Sequence, residues 1–315
     1  MPRKNFADRL MGEIDRKAAP VCVGIDPRLG LLPQHIRNKA LKKSGASLAS
    51  AASAYLEFSR RIIDAVTPHI PAVKLQVAFF ELLGWEGIKA YRKIVDYAHD
   101  RGLLVIGDIK RSDIGTSARA YARAHLGEVR LGRKRFRPWD EDAVTVNAYL
   151  GSDGIQPFIA EAAKAGKGVF VLLRTSNPSA SEIQDLKCRG KPLYLYLAGM
   201  IKKWGAGGMG ERGYSAIGAV VAANRPEDTK RLRKIMPHNY FLMPGYGAQG
   251  AAARDVIAGF NKDGYGGLIT ASRSIIYAYR EPHYKRFGPR RWPDAVQSAT
   301  LEMKQAINEA LESNI

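Results

Sequence analysis

The sequence predicts an α/β fold in which eight parallel strands close into a (β/α)8 barrel, the TIM-barrel architecture. Eight short apolar segments have the composition of buried strands. Stretches with helical spacing of apolar residues separate most of them, and parallel strands need such long crossovers. A chain of 315 residues is long enough for one barrel. A doubly wound open sheet is the alternative architecture.

The strand candidates are bounded by polar or turn-forming residues. They lie at residues 21–25, 72–77, 103–106, 143–146, 168–173, 217–221, 241–243 and 268–270. Between them, helical spacing predicts helices over 48–66, 85–98 and 193–204, one that ends near His125, and a short one that Pro226 opens. The residues after Pro27 are expected to form a polar loop. We expect residues 1–315 to form a single barrel domain with N- and C-terminal helical extensions.

The composition is that of a globular protein, with 46% hydrophobic and 25% charged residues. No apolar run is long enough to predict a membrane span, and no signal-peptide pattern is found, so we expect a cytoplasmic protein without membrane partners. Cys22 and Cys188 have no metal-ligand spacing and predict no disulfide framework.

The formal net charge is +19, which suits either a nucleic-acid surface or the attraction of small anionic substrates. The densest basic run begins at Arg130 and ends at Arg137, between predicted elements. We interpret it as a solvated insertion after the third βα unit, because no nucleic-acid-binding module accompanies it. Binding to nucleic acid through this run is the alternative.

Three ionisable residues follow the third strand candidate. Asp108 and Lys110 alternate along the strand, which predicts that both side chains point into the same space, and Asp113 falls in the next turn. Apolar runs rarely end in this way unless water or a ligand lies there, because an unpaired buried charge is costly. The alternative without a functional role is a strand end exposed to solvent, with the aspartate at the N-terminus of the next helix.

A lysine, Lys74, lies in the middle of the second strand candidate. Lysine is rarely buried without a partner, so this position predicts a carboxylate or a ligand nearby. An edge strand whose lysine reaches solvent is the alternative. In a barrel, functional residues gather at the carboxyl ends of the strands. Here those ends carry Asp26, Lys74, Asp108, Lys110, Asn147, Ser176, Gln249 and Arg273.

With these residues in place, the chain resembles the orotidine 5'-phosphate decarboxylase family, and more closely its bacterial type 2 branch. Seven blocks stand in the family's order, which makes the resemblance specific over nearly the whole chain. They are Val23-Gly-Ile-Asp-Pro, Val73-Lys-Leu-Gln-Val-Ala-Phe-Phe-Glu, Asp108-Ile-Lys-Arg-Ser-Asp-Ile-Gly, Val146-Asn-Ala-Tyr-Leu-Gly, Leu172-Leu-Arg-Thr-Ser-Asn-Pro, Pro244-Gly-Tyr-Gly-Ala-Gln-Gly and Ser272-Arg-Ser-Ile-Ile-Tyr-Ala.

The resemblance implies conversion of orotidine 5'-phosphate (OMP) to UMP and CO2, the last step of de novo pyrimidine synthesis. It implies that Lys110 protonates C6, that Asp108 lies beside the departing carboxyl group and that Lys74 is the second lysine. Asp113 would reach the neighbouring site of a homodimer. The substrate-binding residues that it implies are Asp26 for the ribose, Ile114 and Ser117 near it, Ser176 for the pyrimidine, and Gln249 and Arg273 for the phosphate.

Three local departures from the family's pattern leave these roles in place. Ser112 stands where glycine is common, Ala148 where proline is common and Asn224 where threonine is frequent. The resemblance implies neither a metal nor an organic cofactor. A magnesium-dependent sugar-phosphate lyase of the same superfamily is the alternative enzyme, although Lys74 suits a metal-free site better. A basic nucleic-acid-binding protein is the alternative from another class.

Overall fold

The computed structural model of the chain describes residues 4–247 and 252–313. Eight parallel strands close into a barrel, which confirms the predicted fold. They are β1 (Val21–Ile25), β2 (Ala72–Gln76), β3 (Leu104–Arg111), β4 (Ala143–Val146), β5 (Gly168–Arg174), β6 (Ser215–Val221), β7 (Asn239–Pro244) and β8 (Gly267–Ala271). Each strand pairs with its neighbours in the sequence, and β1 closes the ring against β8.

Helices connect the strands and surround the barrel. They are α1 (Phe6–Lys17), α2 (Gln34–Ser44), α3 (Leu48–Val66), α4 (Val77–Glu81), α5 (Gly84–Asp100), α6 (Gly115–His125), α7 (Ser152–Ala165), α8 (Ser181–Gln184), α9 (Leu193–Gly205), α10 (Pro226–Ile235), α11 (Ala253–Val256), α12 (Arg273–Ile276) and α13 (Trp292–Glu312). Short 3-10 turns complete the connections. In the part of the chain that the structure describes, no helix combines the length and apolar composition that crossing a bilayer requires.

Helix α1 covers the amino-terminal end of the barrel. Its apolar face, which includes Phe6 and Leu10, packs against residues near the starts of the strands, such as Phe170 and Tyr240. The ring of Phe6 meets that of Phe170 edge-on at 5.9 Å between centroids. Since this end is filled by side chains, the opposite end, where the strands finish, is left for a functional site.

Two segments differ from their predicted structure at the level of single elements. The polar segment after Pro27 contains helix α2, which buries Ile36 and Ala40, four residues apart on one face. So few apolar residues were too weak a periodic signal to predict it. Val77, predicted to end the second strand, instead begins α4, because the Gln76 side chain accepts a hydrogen bond from the backbone N–H of Ala78 and caps this helix.

The predicted insertion lies between α6 and β4, after the third βα unit, but it is not a loop. Residues Val129–Leu131 and Lys134–Phe136 pair as an exposed antiparallel hairpin, with Gly132 in the left-handed conformation at its turn. A second short hairpin, Lys187–Cys188 with Lys191–Pro192, interrupts the long polar connection after β5. Val129, Arg130 and Leu131 alternate between apolar and polar, but neither segment has the alternation over four or more residues from which a strand is usually predicted.

Candidate active site

The end of β3 carries the ionisable residues Asp108 and Lys110, and its backbone is irregular there. Gly107 pairs with Val144 of β4 and Arg111 with Val146, so four steps along β3 match two along β4. Lys110 has a φ of +45°, a conformation that few residues other than glycine adopt. Its backbone N–H donates to Thr145 Oγ1 at 3.1 Å, which stabilises this bulge.

Asp108 is the centre of a buried hydrogen-bond network. Its Oδ2 accepts from Lys74 Nζ at 2.6 Å and from Gln76 Nε2 at 3.0 Å. Its Oδ1 accepts from Lys110 Nζ at 2.5 Å and from Thr145 Oγ1 at 2.9 Å. The structure therefore brings together the acid and the two lysines that the sequence predicted. The partner predicted for Lys74 is Asp108, and the edge-strand alternative is wrong because β2 lies between β1 and β3.

Both members of the buried pair are ionised. Burial lowers the pKa of Lys74, but the charges of Asp108 and Asp26 outweigh it, so the pKa lies above its ordinary value. Burial raises the pKa of Asp108, but the charges and hydrogen bonds of Lys74 and Lys110 outweigh it and hold the pKa far below the usual range. The pair of Lys74 and Asp108 is therefore charged at neutral pH.

A cavity of about 1010 Å³ opens over this network. Its polar end is formed by Lys74, Asp108, Lys110 and Thr145, and Ser176 lies on its wall after β5. Apolar side chains such as Leu173 and Leu197 form much of the rest. The volume falls at the upper end of the range for small-molecule sites.

Asp26 and Arg273 lie at the ends of β1 and β8, which are neighbours in the barrel. Asp26 Oδ1 is buried and accepts no hydrogen bond from the described residues, so it can accept one from a ligand. Arg273 begins α12 and is exposed. Gly245 and Gly247, with φ of 110° and 69°, shape the loop after β7. Gln249 lies outside the described residues.

Asp113, Ile114 and Ser117 stand apart from the network within one chain. Asp113 Oδ1 accepts the backbone N–H of Ile114 at 2.8 Å, and Ser117 lies exposed in the first turns of α6. Within residues 4–247 and 252–313, no hydrogen bond or ion pair joins these three residues to Asp108 or the lysines. Ile114 is exposed as well, and Asp113 is half-buried.

Sequence reasoning missed two members of the network. Gln76 lies two residues after Lys74 on β2, so strand alternation points both side chains to the same side. Thr145 lies one residue before the end of β4 and is buried. Their polar types at strand ends were the available signal.

Comparison with known proteins agrees with this geometry. Residues 20–285 match the model of the orotidine 5'-phosphate decarboxylase / HUMPS family. The chain is 40% identical over 303 residues to an orotidine 5'-phosphate decarboxylase of Rhodopirellula baltica, covering 96% of this chain and 98% of that protein. A second relative of that name, from Caldicellulosiruptor bescii, is 38% identical over 307 residues, 98% of this chain and 99% of the relative.

The fold also matches that of solved structures. The solved structure of OMP decarboxylase from Leishmania donovani superposes with a TM-score of 0.75 at 28% identity, and the match covers 98% of this chain and 99% of that one. Sequence and fold thus match known orotidine 5'-phosphate decarboxylases over nearly the full length of the chain. This chain belongs to the orotidine 5'-phosphate decarboxylase / HUMPS family.

Proposed function

We propose that the protein converts OMP to UMP and CO2, the last step of de novo pyrimidine synthesis. The observation that carries this proposal is the network in which the Asp108 carboxylate lies between the ammonium groups of Lys74 and Lys110 at one end of a cavity. The curated relatives named above, at 38–40% identity over nearly the whole chain, support it.

The reaction needs stabilisation by fixed charge. When the bond between C6 and the carboxyl carbon breaks, CO2 leaves and the electron pair remains on C6, in the plane of the pyrimidine ring. The π system cannot delocalise this pair. An ammonium group held close to C6 lowers the energy of the developing anion, and the effect is stronger in a buried, preorganised site than in water.

Lys110 is the proposed proton donor. In this role, its Nζ transfers a proton to C6 and solvent later restores that proton, so the reaction needs no oxidant or reductant. Asp108 would lie beside the departing carboxylate, where it keeps Lys74 charged and orients both lysines through hydrogen bonds. Lys74 is buried and its pKa is raised, so its ammonium group stays protonated throughout the proposed reaction.

The remaining substrate-binding roles follow from the family. Asp26 would bind the ribose hydroxyls through its unpartnered oxygen, and Ser176 would contact the edge of the pyrimidine. Arg273 and Gln249 would bind the phosphate, for which the planar guanidinium of arginine is suited because it can donate two parallel hydrogen bonds. Binding energy from the phosphate can order the charged network before the reaction.

A homodimer would complete the site. In the described part of their own chain, Asp113, Ile114 and Ser117 make no hydrogen bond to the network, and Ile114 and Ser117 are exposed. We infer that they enter the active site of a second copy, as the family's pattern implies. Each site would then contain a lysine from one subunit and an aspartate from the other.

The proposed reaction requires no metal. Both oxygens of Asp108 already accept hydrogen bonds from lysine, amide or hydroxyl groups, which makes this carboxylate a poor ligand for Mg²⁺. This occupancy favours decarboxylation over the alternative of a magnesium-dependent sugar-phosphate lyase. We further propose that residues 1–315 act as one barrel domain in the cytoplasm.

An ultraviolet assay of OMP with purified, EDTA-treated protein tests the proposal. We expect OMP to be consumed and UMP to form at the same rate with and without EDTA. Loss of activity in EDTA that added Mg²⁺ restores would favour the lyase-type site. No conversion of OMP under either condition would contradict the proposed function.

A further inference from the structure

The turn after β1 contains an acid whose position must be fixed by other residues. Asp26 is followed by Pro27, which has no N–H group to donate, and then by Arg28. Asp26 Oδ1 is buried without a partner among the described residues, so hydrogen bonds of its own side chain do not account for where this oxygen points. The backbone of the turn has to hold the carboxylate in place.

Tyr277 holds this backbone on both sides of Pro27. Its hydroxyl accepts the backbone N–H of Arg28 at 2.7 Å and donates to the carbonyl oxygen of Asp26 at 3.1 Å. One hydroxyl therefore makes two hydrogen bonds that span the proline. Burial raises the pKa of Tyr277, so the hydroxyl keeps the proton that it donates.

The ring of Tyr277 is itself fixed. It is buried and stacks on Phe58 of α3, with ring centroids 5.7 Å apart and an interplanar angle of 16°. Its backbone N–H bonds to the carbonyl oxygen of Arg273 at 3.2 Å, one turn earlier. The segment that presents Arg273 at the end of β8 thus also reaches across to the turn that carries Asp26.

We propose that Tyr277 is a positioning residue: its hydroxyl fixes the Asp26 carboxylate for the ribose and couples that turn to the phosphate-binding segment at Arg273. This inference rests on the proposed function, because it takes the roles of Asp26 and Arg273 from it. It adds a residue that touches neither the substrate nor the reacting atoms.

The substitution Tyr277→Phe removes the hydroxyl and keeps the ring. Tyr279→Phe is the matched control, because the hydroxyl of Tyr279 also bonds to a backbone carbonyl in the segment after β1, that of Leu31, away from Asp26. We expect Tyr277→Phe to raise the KM for OMP about tenfold, the cost of one or two lost hydrogen bonds, with a smaller change in kcat. Tyr279→Phe should leave KM close to that of the wild type.

A double-mutant cycle separates positioning from general damage to the fold. If Tyr277 acts through Asp26, then Tyr277→Phe should add almost nothing to the loss of kcat/KM caused by Asp26→Asn. Effects that multiply, or a Tyr277→Phe variant no different from Tyr279→Phe, would overturn the inference while leaving an active wild type, and so the proposed function, intact. A wild type that does not convert OMP would contradict both.

Discussion

At the scale of single residues, the proposed decarboxylation depends on where the Asp108 carboxylate holds the ammonium groups of Lys74 and Lys110. Lys74 is fixed by burial, whereas the Lys110 side chain is 46% exposed and reaches the same carboxylate from the bulge. The two lysines therefore differ in solvent exposure although they share a partner. Because Lys110 is reached by solvent, it suits the proposed role of a proton donor that is later reprotonated.

Replacing Lys110 should abolish turnover without unfolding the protein. We expect Lys110→Ala to reduce kcat by about a thousandfold or more, because it removes both the general acid and a positive charge near C6. Steady-state assays with OMP measure this, and the unfolding midpoint checks the fold. Lys164→Ala, an exposed lysine of α7, is the control that should keep full activity. Substantial turnover by Lys110→Ala would contradict its assignment as proton donor.

The sequence predicted which charged side chains pair with each other, but it did not predict the backbone conformation that positions them. A lysine inside an apolar strand needs a carboxylate, and the pair of Lys74 with Asp108 follows from that requirement. A regular strand already places Asp108 and Lys110 on one side. The sequence therefore carried no signal for the bulge at Lys110. Thr145 and Gln76 were missed because a hydroxyl or an amide at a strand end is usually satisfied by solvent.

At the scale of elements, α1 is anchored by an ion pair between half-buried Arg9 and buried Asp142. Asp142, just before β4, accepts from Arg9 of α1 at 2.7 Å and from the backbone N–H of Val105 at 2.9 Å, and its other contact is His99 Nε2 at 2.9 Å. Burial raises the pKa of Asp142, but the hydrogen bond from His99 and the charge of Arg9 outweigh it, so the pKa lies far below its ordinary value.

This ion pair should make the stability of the fold depend on pH. Since the native pKa of Asp142 is below the unfolded value of about 3.9, its contribution is complete above that pH and is lost as the pH falls toward the native pKa. We expect Asp142→Asn to lower the free energy of unfolding by about 3 kcal/mol at pH 7, and by less as the pH falls below about 4.

Urea unfolding at several pH values measures this difference between wild type and variant. Asp96→Asn is the control, because Asp96 pairs with Arg92 on the surface of α5 and should change stability by less than about 0.5 kcal/mol at any pH. If the difference in free energy of unfolding between wild type and Asp142→Asn stays constant down to acid pH, the charge of Asp142 does not stabilise the attachment of α1.

Elements with strong periodicity were predicted accurately, and weakly patterned ones were not. The predicted helix over 48–66 matches α3, Leu48–Val66, because its apolar face is wide and continuous. Helix α2 buries only Ile36 and Ala40, and the hairpin at 129–136 is held by backbone pairing. Such pairing leaves little trace in a polar, basic sequence.

At the scale of the whole molecule, barrel closure brings together residues that are distant in the chain. Asp26 and Arg273 are separated by nearly the full sequence, yet β1 pairs with β8. Because parallel strands in a barrel direct their carboxyl ends to one side, the sequence was sufficient to predict that both residues lie at the same end of the barrel. In the proposed homodimer, the environment of Asp113 would be completed by a second copy of the chain.

Mixing two inactive variants should restore activity if the sites are shared. Asp113→Ala and Lys110→Ala each damage one site component, and a hybrid dimer would contain one site with both components intact. We expect up to about a quarter of wild-type activity after subunit exchange at equal concentrations, since half of the dimers would be hybrids with one intact site. Labelled subunits verify the exchange, and no recovery despite exchange would argue against a shared site.

The most direct test of the central claim, that the charged network stabilises an anion at C6, is the exchange of the C6 hydrogen of UMP in D2O. A group that protonates C6 must also remove that proton in the reverse direction. NMR should show the wild type catalysing this exchange, and Lys110→Ala binding UMP without exchanging it. Exchange at an undiminished rate in Lys110→Ala, or none in a wild type that decarboxylates OMP, would contradict the account.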